Sequence, residues 1–326
     1  MIFKTISTIK AHNLLVIPLL TGILWIKYFA FSAIETTNIS EFQMPLFQLI
    51  NNFFVWSDTI LLLLINILIL VQVYLLIRLN NKFIVIDKRT YLHGIIFTVF
   101  CISLNNLNNL LPALFANIFI ILATEKIFDT YKSDSLFSNY FDATLLISIS
   151  SLLHFNAIFL IVFVFAGQII IRSFNFREWL IIILGLLTPY IILFLYFFLV
   201  DNLLFFNELA EYYFFDYQNK FELSLIKTGY YVFILILLLI SGIFSLNKFN
   251  KLKINRRKFY TLFFLLIIFS AAILYSLPKA GFETLVFVSV PFSFIISDYL
   301  LAVKKKWYSE FIFLLLLAGS ILAQLF

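Results

Sequence analysis

Charged residues are scarce in this chain. Asp, Glu, Lys and Arg make up 12% of its 326 residues, hydrophobic residues make up 63%, and the mean hydropathy is +1.04. A soluble domain has roughly a quarter of its residues charged and about half apolar. The shortage of charge therefore excludes a sizeable water-soluble domain. Apolar runs of about 20 residues, the length that crosses a hydrocarbon core, indicate a membrane protein.

Cysteine, histidine and the usual catalytic motifs are also nearly absent. Cys101 is the single cysteine and lies in an apolar run, which excludes a disulfide framework and a thiolate metal site. The chain has three His and contains no G-x-x-x-x-G-K-[ST], H-E-x-x-H or G-x-S-x-G sequence. We therefore expect neither a metal nor a cofactor.

The net charge of +6 does not indicate a nucleic-acid partner. The basic residues fall between the apolar runs, where the positive-inside rule predicts them. Membrane lipid is the expected partner, and nucleic acid is not.

The apolar runs predict an all-α, polytopic transmembrane protein. The first run is too long for a signal peptide and no small-residue cleavage site follows it, so we expect it to remain as a span. We predict one integral membrane domain over 1–326: a module over 1–200 with an interfacial loop at 35–58, then an outer loop and four C-terminal spans over 201–326. The predicted single spans are 13–34, 59–79, 178–200, 229–246, 259–277, 282–300 and 308–325.

Two further stretches, 92–128 and 142–172, are too long for one crossing. Basic residues flank both stretches on both sides, so each is predicted to enter the membrane and return as a short hairpin. This gives about 11 membrane segments in a bacterial inner membrane, with a cytoplasmic N-terminus and a periplasmic C-terminus. All but four of the 23 Lys and Arg then lie on the cytoplasmic side, the exceptions being Lys27, Lys220, Lys227 and Lys279.

The predicted hairpin tips, "SLNNLNN" and "SSLLHFN", are polar. Their entering arms, 92–104 and 143–153, would reach about 16–20 Å, less than the roughly 30 Å of the core. Amides in hydrocarbon are costly, so we expect Asn105, Asn109 and His154 to line a recess open to the outer face and to contact a substrate. The alternative is that these side chains hold neighbouring helices together.

Several ionisable residues are predicted near the same outer level. Lys27 lies inside an apolar span, where charged residues are usually functional or paired; the alternative is that it extends to the headgroups. Glu35 and Glu41 follow in the first outer loop, and Lys279 and Glu283 lie in a later outer turn.

These features together resemble the GT-C superfamily of polyprenyl-phosphate-sugar glycosyltransferases. An acidic residue after the first span is followed by an interfacial loop and by paired short hairpins. Later, "YSLPKAGFETLVFVSVPFSFIISDYL" (Tyr275–Leu300) is similar to the family's outer turn with a basic residue before an aromatic-rich span. The chain also resembles an uncharacterised family of bacterial inner-membrane proteins.

The resemblance implies a GT-C-like fold and a glycosyl transfer from a polyprenyl-phosphate sugar. It implies Glu35 as the catalytic carboxylate, Glu41 as second choice, and Lys279 facing the lipid phosphate. Lys27, Asn105, Asn109, His154 and Glu283 complete the expected substrate-binding and lipid-binding set. The first outer loop lacks a paired acidic motif, so two alternatives stay open: a non-catalytic subunit or scaffold with protein partners in the cell envelope, and a transporter of lipid-linked substrates.

Overall fold

A computed structural model describes residues 12–22, 43–53, 58–88, 90–104, 107–131, 136–172, 175–215, 224–277 and 279–325. Across these ranges the regular structure is helical throughout, and no strand occurs. The α-helices are α1 (His12–Thr21), α2 (Pro45–Phe53), α3 (Asp58–Phe83), α4 (Leu92–Ile102), α5 (Leu107–Asp129), α6 (Leu136–Leu153), α7 (Ile161–Ile171), α8 (Phe176–Leu199), α9 (Leu204–Ala210), α10 (Leu225–Lys248), α11 (Ile254–Ser276), α12 (Leu285–Ala302) and α13 (Lys306–Leu325).

Shorter helical segments connect some of these helices. Segments of 3-10 helix cover Phe155–Leu160 before α7, Phe249–Lys251 after α10 and Phe282–Thr284 before α12. A π-helical turn at Glu211–Phe215 follows α9.

Seven helices of the described ranges are long and apolar enough to cross a membrane, which fits the predicted multi-pass, all-α class. They are Thr59–Phe83, Leu110–Asp129, Phe176–Leu199, Leu225–Lys251, Ile254–Ser276, Phe282–Ala302 and Lys306–Gln324. Leu92–Ile102 and Phe155–Ile171 are shorter apolar helices, as expected for hairpin arms. The predicted first span, 13–34, is described only as far as residue 22.

Contacts between distant residues divide the helix ends into two groups. At one end, the Tyr231 hydroxyl donates to the Ser103 carbonyl oxygen at 3.1 Å, and the Tyr231 ring stacks on Phe282. At the other end, Lys248 pairs with Asp298. We call these the aromatic end and the basic end. Because α10 carries Tyr231 near one terminus and Lys248 at the other, it runs from the aromatic end to the basic end.

The stretches that contain α4–α5 and α6–α7 both leave the basic end and come back to it. Lys88, before α4, donates to the Leu301 carbonyl oxygen, and Glu125 on α5 pairs with Arg78. The turn at Ser103 between α4 and α5 lies at the aromatic end. The two arms α4 and α5 both pack against α3 and α12.

The second hairpin differs from the prediction in the length of its entering arm. Helix α6 begins at Leu136 rather than at 143, so it spans about 27 Å at 1.5 Å per residue. The added turns at the start of the helix, "LFSNYFD", are partly polar, and Asp142 among them pairs with Lys126 at 2.7 Å. The helix is longer than predicted, whereas the length of its part inside the membrane stays a prediction.

Helix α12 is the central element of the bundle. Every residue from Val286 to Leu300 is buried, and the helix packs against α4, α5, α10 and α11. By contrast, α8 and α10 expose large aliphatic and aromatic side chains along their length, as lipid-facing helices do. The N-terminus of α12 therefore sets the position of the turn that carries Lys279 and Glu283.

Ion pairs hold the basic end together. The buried Glu125 carboxylate accepts from Arg78 at 3.0 Å and from Lys82 at 2.9 Å, and Lys82 also reaches Asp129 at 2.6 Å. These contacts join α3 to α5. Lys248 donates to both oxygens of Asp298, which joins α10 to α12.

Candidate functional site

The structure describes three of the eight predicted site residues completely. Lys27, Glu35, Glu41 and Asn105 lie outside the described residues. Asn109 lies on α5, but its side chain also falls outside the described part. The remaining three, His154, Lys279 and Glu283, all lie at the aromatic end. Lys279 contacts one aromatic segment there, and Phe155, next to His154, packs on the same segment.

That segment is the π-helical turn after α9, and we call its residues Tyr212, Tyr213 and Phe214 the aromatic cap. The Phe155 ring stacks on Tyr213 at 4.2 Å between centroids and meets Phe214 edge-on at 5.8 Å. The cap thus packs directly on the start of the 3-10 segment that follows His154. Met44, just before α2, belongs to the same cluster and connects the first outer loop to it.

Lys279 reaches the aromatic cap from the opposite side. Its amine lies 4.3 Å from the centroid of the Tyr212 ring, within the range of a cation–π interaction. Lys279 lies in the turn between α11 and α12, as predicted. A lysine on a ring face gives up part of its hydration, which favours contact with an anionic ligand.

Glu283 folds back onto the same turn. Its Oε1 accepts from the Gly281 N–H at 3.0 Å. A Cβ on Gly281 would collide with the Glu283 carboxylate, so glycine permits this close approach. Burial raises the pKa of Tyr213, and the neighbouring Tyr212 and the Glu283 charge contribute in the same direction.

His154 lies at the tip of the second hairpin, where α6 ends and the 3-10 segment begins. Its ring meets the Phe287 ring edge-on at 5.8 Å, one turn of α12 beyond Glu283. Asn156 Nδ2 lies 3.3 Å from His154 Nε2, so Nε2 accepts a hydrogen bond and the ring proton stays on Nδ1. The Asn156 Oδ1 is buried and has no hydrogen-bond partner among the described residues.

The tip of the first hairpin is connected to the same turn through α10. Tyr231 binds the Ser103 carbonyl oxygen and stacks on Phe282 at 5.3 Å. Phe282 immediately precedes Glu283. The two predicted polar tips thus lie on either side of the turn that carries Lys279 and Glu283.

This arrangement combines one cation, one carboxylate, one imidazole and several aromatic faces. The cation suits an anion such as a phosphate, and the aromatic rings suit the apolar faces of a sugar or of an isoprenoid chain. In the part of the chain that the structure describes, no cluster of His, Cys, Asp and Glu could hold a metal ion.

Residues 46–324 match a family of unknown function, DUF6427. The chain belongs to this family. No curated protein and no solved structure matches it. The range shared with DUF6427 contains His154, Lys279 and Glu283, whereas Lys27, Glu35 and Glu41 precede it.

The sequence analysis did not identify the aromatic residues that connect the elements carrying His154, Lys279 and Glu283. It placed an outer loop at the start of 201–326 but assigned no role to Tyr212 or Tyr213. It also gave no role to Tyr231, although an aromatic residue at the start of an apolar run is typical of a membrane boundary. The run of aromatic residues in "EYYFF" at 211–215 is the feature of the sequence that could have indicated them.

Proposed function

We propose that this protein is a GT-C-like membrane glycosyltransferase, or a close relative of one. It binds a polyprenyl-phosphate-linked sugar at the aromatic end, which faces the outer side of a bacterial inner membrane. The observation that supports this proposal is that two distant parts of the sequence meet at the aromatic cap: Lys279, in the turn that also carries Glu283, lies over Tyr212, and Phe155, next to His154, stacks on Tyr213.

The proposed chemistry assigns one task to each group. Lys279 holds the lipid phosphate and stabilises the charge that develops on it as the bond to the sugar breaks. Glu35 takes the proton from the acceptor hydroxyl as its oxygen attacks the anomeric carbon, and Glu41 is the second choice for this base. Asn105, Asn109, Lys27 and the His154–Asn156 pair bind sugar hydroxyls or lipid.

The proposal includes the predicted topology. The basic end faces the cytoplasm, which places the aromatic end on the periplasmic side. Eleven membrane segments then give a cytoplasmic N-terminus and a periplasmic C-terminus.

A second candidate function is a non-catalytic subunit that scaffolds a cell-envelope complex. The hydrogen bond from Gly281 to Glu283 favours it, because this carboxylate already has a partner within its own turn. In that case Lys279 and Glu283 would stabilise the turn and would contact no substrate.

Lipid binding distinguishes the two functions. Native mass spectrometry of the purified protein with added polyprenyl phosphate should show a bound lipid of that mass. Lys279→Gln should reduce its occupancy roughly tenfold, as expected for loss of a charge-assisted contact. Lys227→Gln, which removes a lysine near the same end, is the matched control and should bind as the wild type does. Equal occupancy in Lys279→Gln would exclude Lys279 as the phosphate ligand and favour the scaffold.

A further inference from the structure

Several cations at the basic end have a partner within the protein. Their partners are carboxylates on neighbouring helices or backbone carbonyl oxygens. The cations with such partners are Arg78, Lys82, Lys126, Lys248 and Arg256, which pair with carboxylates, and Lys88 and Lys258, which donate to carbonyl oxygens.

A second group of lysines differs from the first. These residues are exposed, and across the described ranges none has a carboxylate partner. They are Lys251, Lys253, Lys304, Lys305 and Lys306, and we call them the basic patch. Five positive charges without internal compensation create a field that attracts anions from outside the protein.

The patch is one surface, although its lysines come from two loops. Lys248 at the end of α10 donates to Asp298 Oδ1 at 3.0 Å, near the end of α12. Lys251 follows Lys248 by one helical turn, and Lys304 follows the end of α12. Helix α10 also packs against α13, which begins at Lys306. The paired cations therefore place the two lysine-bearing loops at the same end of the bundle.

Two apolar side chains indicate the level at which the patch lies. Trp307 follows Lys306 and is 65% exposed, and Ile254 follows Lys253 and is 60% exposed. Each side chain lies at the first turn of an apolar span. Exposed tryptophan beside lysine at a span end is typical of the lipid headgroup region. A surface for nucleic acid, which lies in water, would not require these apolar neighbours.

We propose that the basic patch binds the headgroup phosphates of anionic phospholipids in the membrane leaflet at the basic end. The lysines contact the phosphates while Trp307 and Ile254 lie against the upper parts of the acyl chains. Juxtamembrane clusters of lysine attract anionic lipids in this way. This binding site lies at the opposite end of the bundle from the proposed sugar-lipid site. An experiment can therefore contradict one of the two proposals and leave the other unaffected.

Native mass spectrometry in a neutral detergent tests the proposal. The full-length protein is mixed with dioleoyl-phosphatidylglycerol or with dioleoyl-phosphatidylcholine, and bound lipids are counted. The wild type should retain the anionic lipid in excess. The triple variant Lys304→Gln, Lys305→Gln, Lys306→Gln should lose roughly tenfold or more of this preference, since each lysine near a headgroup contributes to it.

Two control variants distinguish the effect of the charge from the effect of its position, and an unfolding measurement tests whether each variant is folded. Replacing the same three lysines by arginine keeps the charge and should keep the preference. Arg177→Gln removes a cation near the same end but outside the patch and should have no effect. Thermal unfolding of each variant verifies that it is folded, and if the triple Gln variant unfolds early, the pair Lys251→Gln, Lys253→Gln replaces it.

Three outcomes would overturn the proposal. The first is equal retention of the two lipids by the wild type, and the second is an unchanged preference in a folded Gln variant. The third is an RNA oligonucleotide that binds the patch and displaces the anionic lipid at equal phosphate concentration. That result would assign the patch to polyanions in water rather than to the membrane.

Discussion

The amine of Lys279 lies 4.3 Å from the centre of the Tyr212 ring, and this contact joins the turn before α12 to the aromatic cap. The contact covers the cation that we assign to the lipid phosphate. An anionic ligand would therefore either displace the Tyr212 ring from the Lys279 amine or bind the amine while the ring stays in contact with it.

The first prediction concerns Tyr212. Tyr212→Leu removes the ring, so Lys279 should become a few-fold more reactive towards a water-soluble amine reagent, in keeping with a cation–π contact of about 0.5–1 kcal/mol. Tyr212→Phe keeps the ring face and should leave the reactivity unchanged. Peptide mapping of the modified lysine measures both. Equal reactivity in all three proteins would mean that Tyr212 does not cover Lys279.

The second prediction uses the close approach at Gly281. Gly281→Ala adds a Cβ where the Glu283 carboxylate lies, so the carboxylate should move away while keeping its charge. Because Glu283 carries a charge opposite to that of Lys279 and lies in the same turn, we expect both Gly281→Ala and Glu283→Gln to strengthen polyprenyl phosphate binding a few-fold. Gly229→Ala is the control, because a Cβ there meets nothing within 4 Å. If Gly281→Ala binds polyprenyl phosphate as the wild type does and Glu283→Gln does not, this binding depends on the charge of Glu283 and not on the position of its carboxylate.

The third prediction concerns orientation. In a Cys101→Ser background, Lys88→Cys and Lys305→Cys at the basic end should react with a membrane-impermeant thiol reagent only after cells are opened. Asn202→Cys should react in intact cells. All three residues are exposed in the structure. A cysteine that is not labelled in intact cells therefore lies on the inner side of the membrane, and burial within the protein does not account for the result. The reverse pattern would place the aromatic end inside the cell and remove the outer-face proposal.

The fold class followed from the sequence because hydropathy is a local property. Periodic apolar runs and basic flanks predicted both the multi-pass class and the positions of most helices, including α12. The beginning of α6 was not predicted, because hydropathy indicates where an apolar run begins and not where the helix that contains it begins; the first residues of α6, up to Asp142, are partly polar. The aromatic cap could not be assigned for a different reason: its contacts with Phe155 and Lys279 join residues far apart in the sequence.

The fourth prediction compares two ion pairs at the basic end. The Asp298 side chain is 6% exposed and binds Lys248, which is 25% exposed. Asp298→Asn removes the nearer counter-charge of Lys248, but Asp87 remains 3.9 Å away and Lys248 keeps partial access to water. We therefore expect about 2 kcal/mol of destabilisation, below the range for a fully buried pair. Asp142→Asn breaks the exposed pair with Lys126 and should cost less than about 1 kcal/mol. Unfolding in detergent measures both, and equal losses would contradict this ranking.

The last prediction concerns Glu35, the residue on which we expect catalysis to depend. Glu35→Gln keeps the size of the side chain and removes the base, so turnover should fall roughly a hundredfold or more. Glu41→Gln should have a much smaller effect, because Glu41 is only the second choice for the base. Neither change should alter polyprenyl phosphate binding, which we assign to Lys279.

The assay for Glu35 is complementation of a deletion strain by each variant at matched expression, with lipid occupancy measured on the same proteins. Loss of complementation by Glu35→Gln with normal lipid binding would support a base that acts after the donor has bound. Full complementation by Glu35→Gln, together with a defect in Glu41→Gln, would move the base to Glu41. Full complementation by both would remove the base from the first outer loop, and the scaffold function would then account better for the aromatic end.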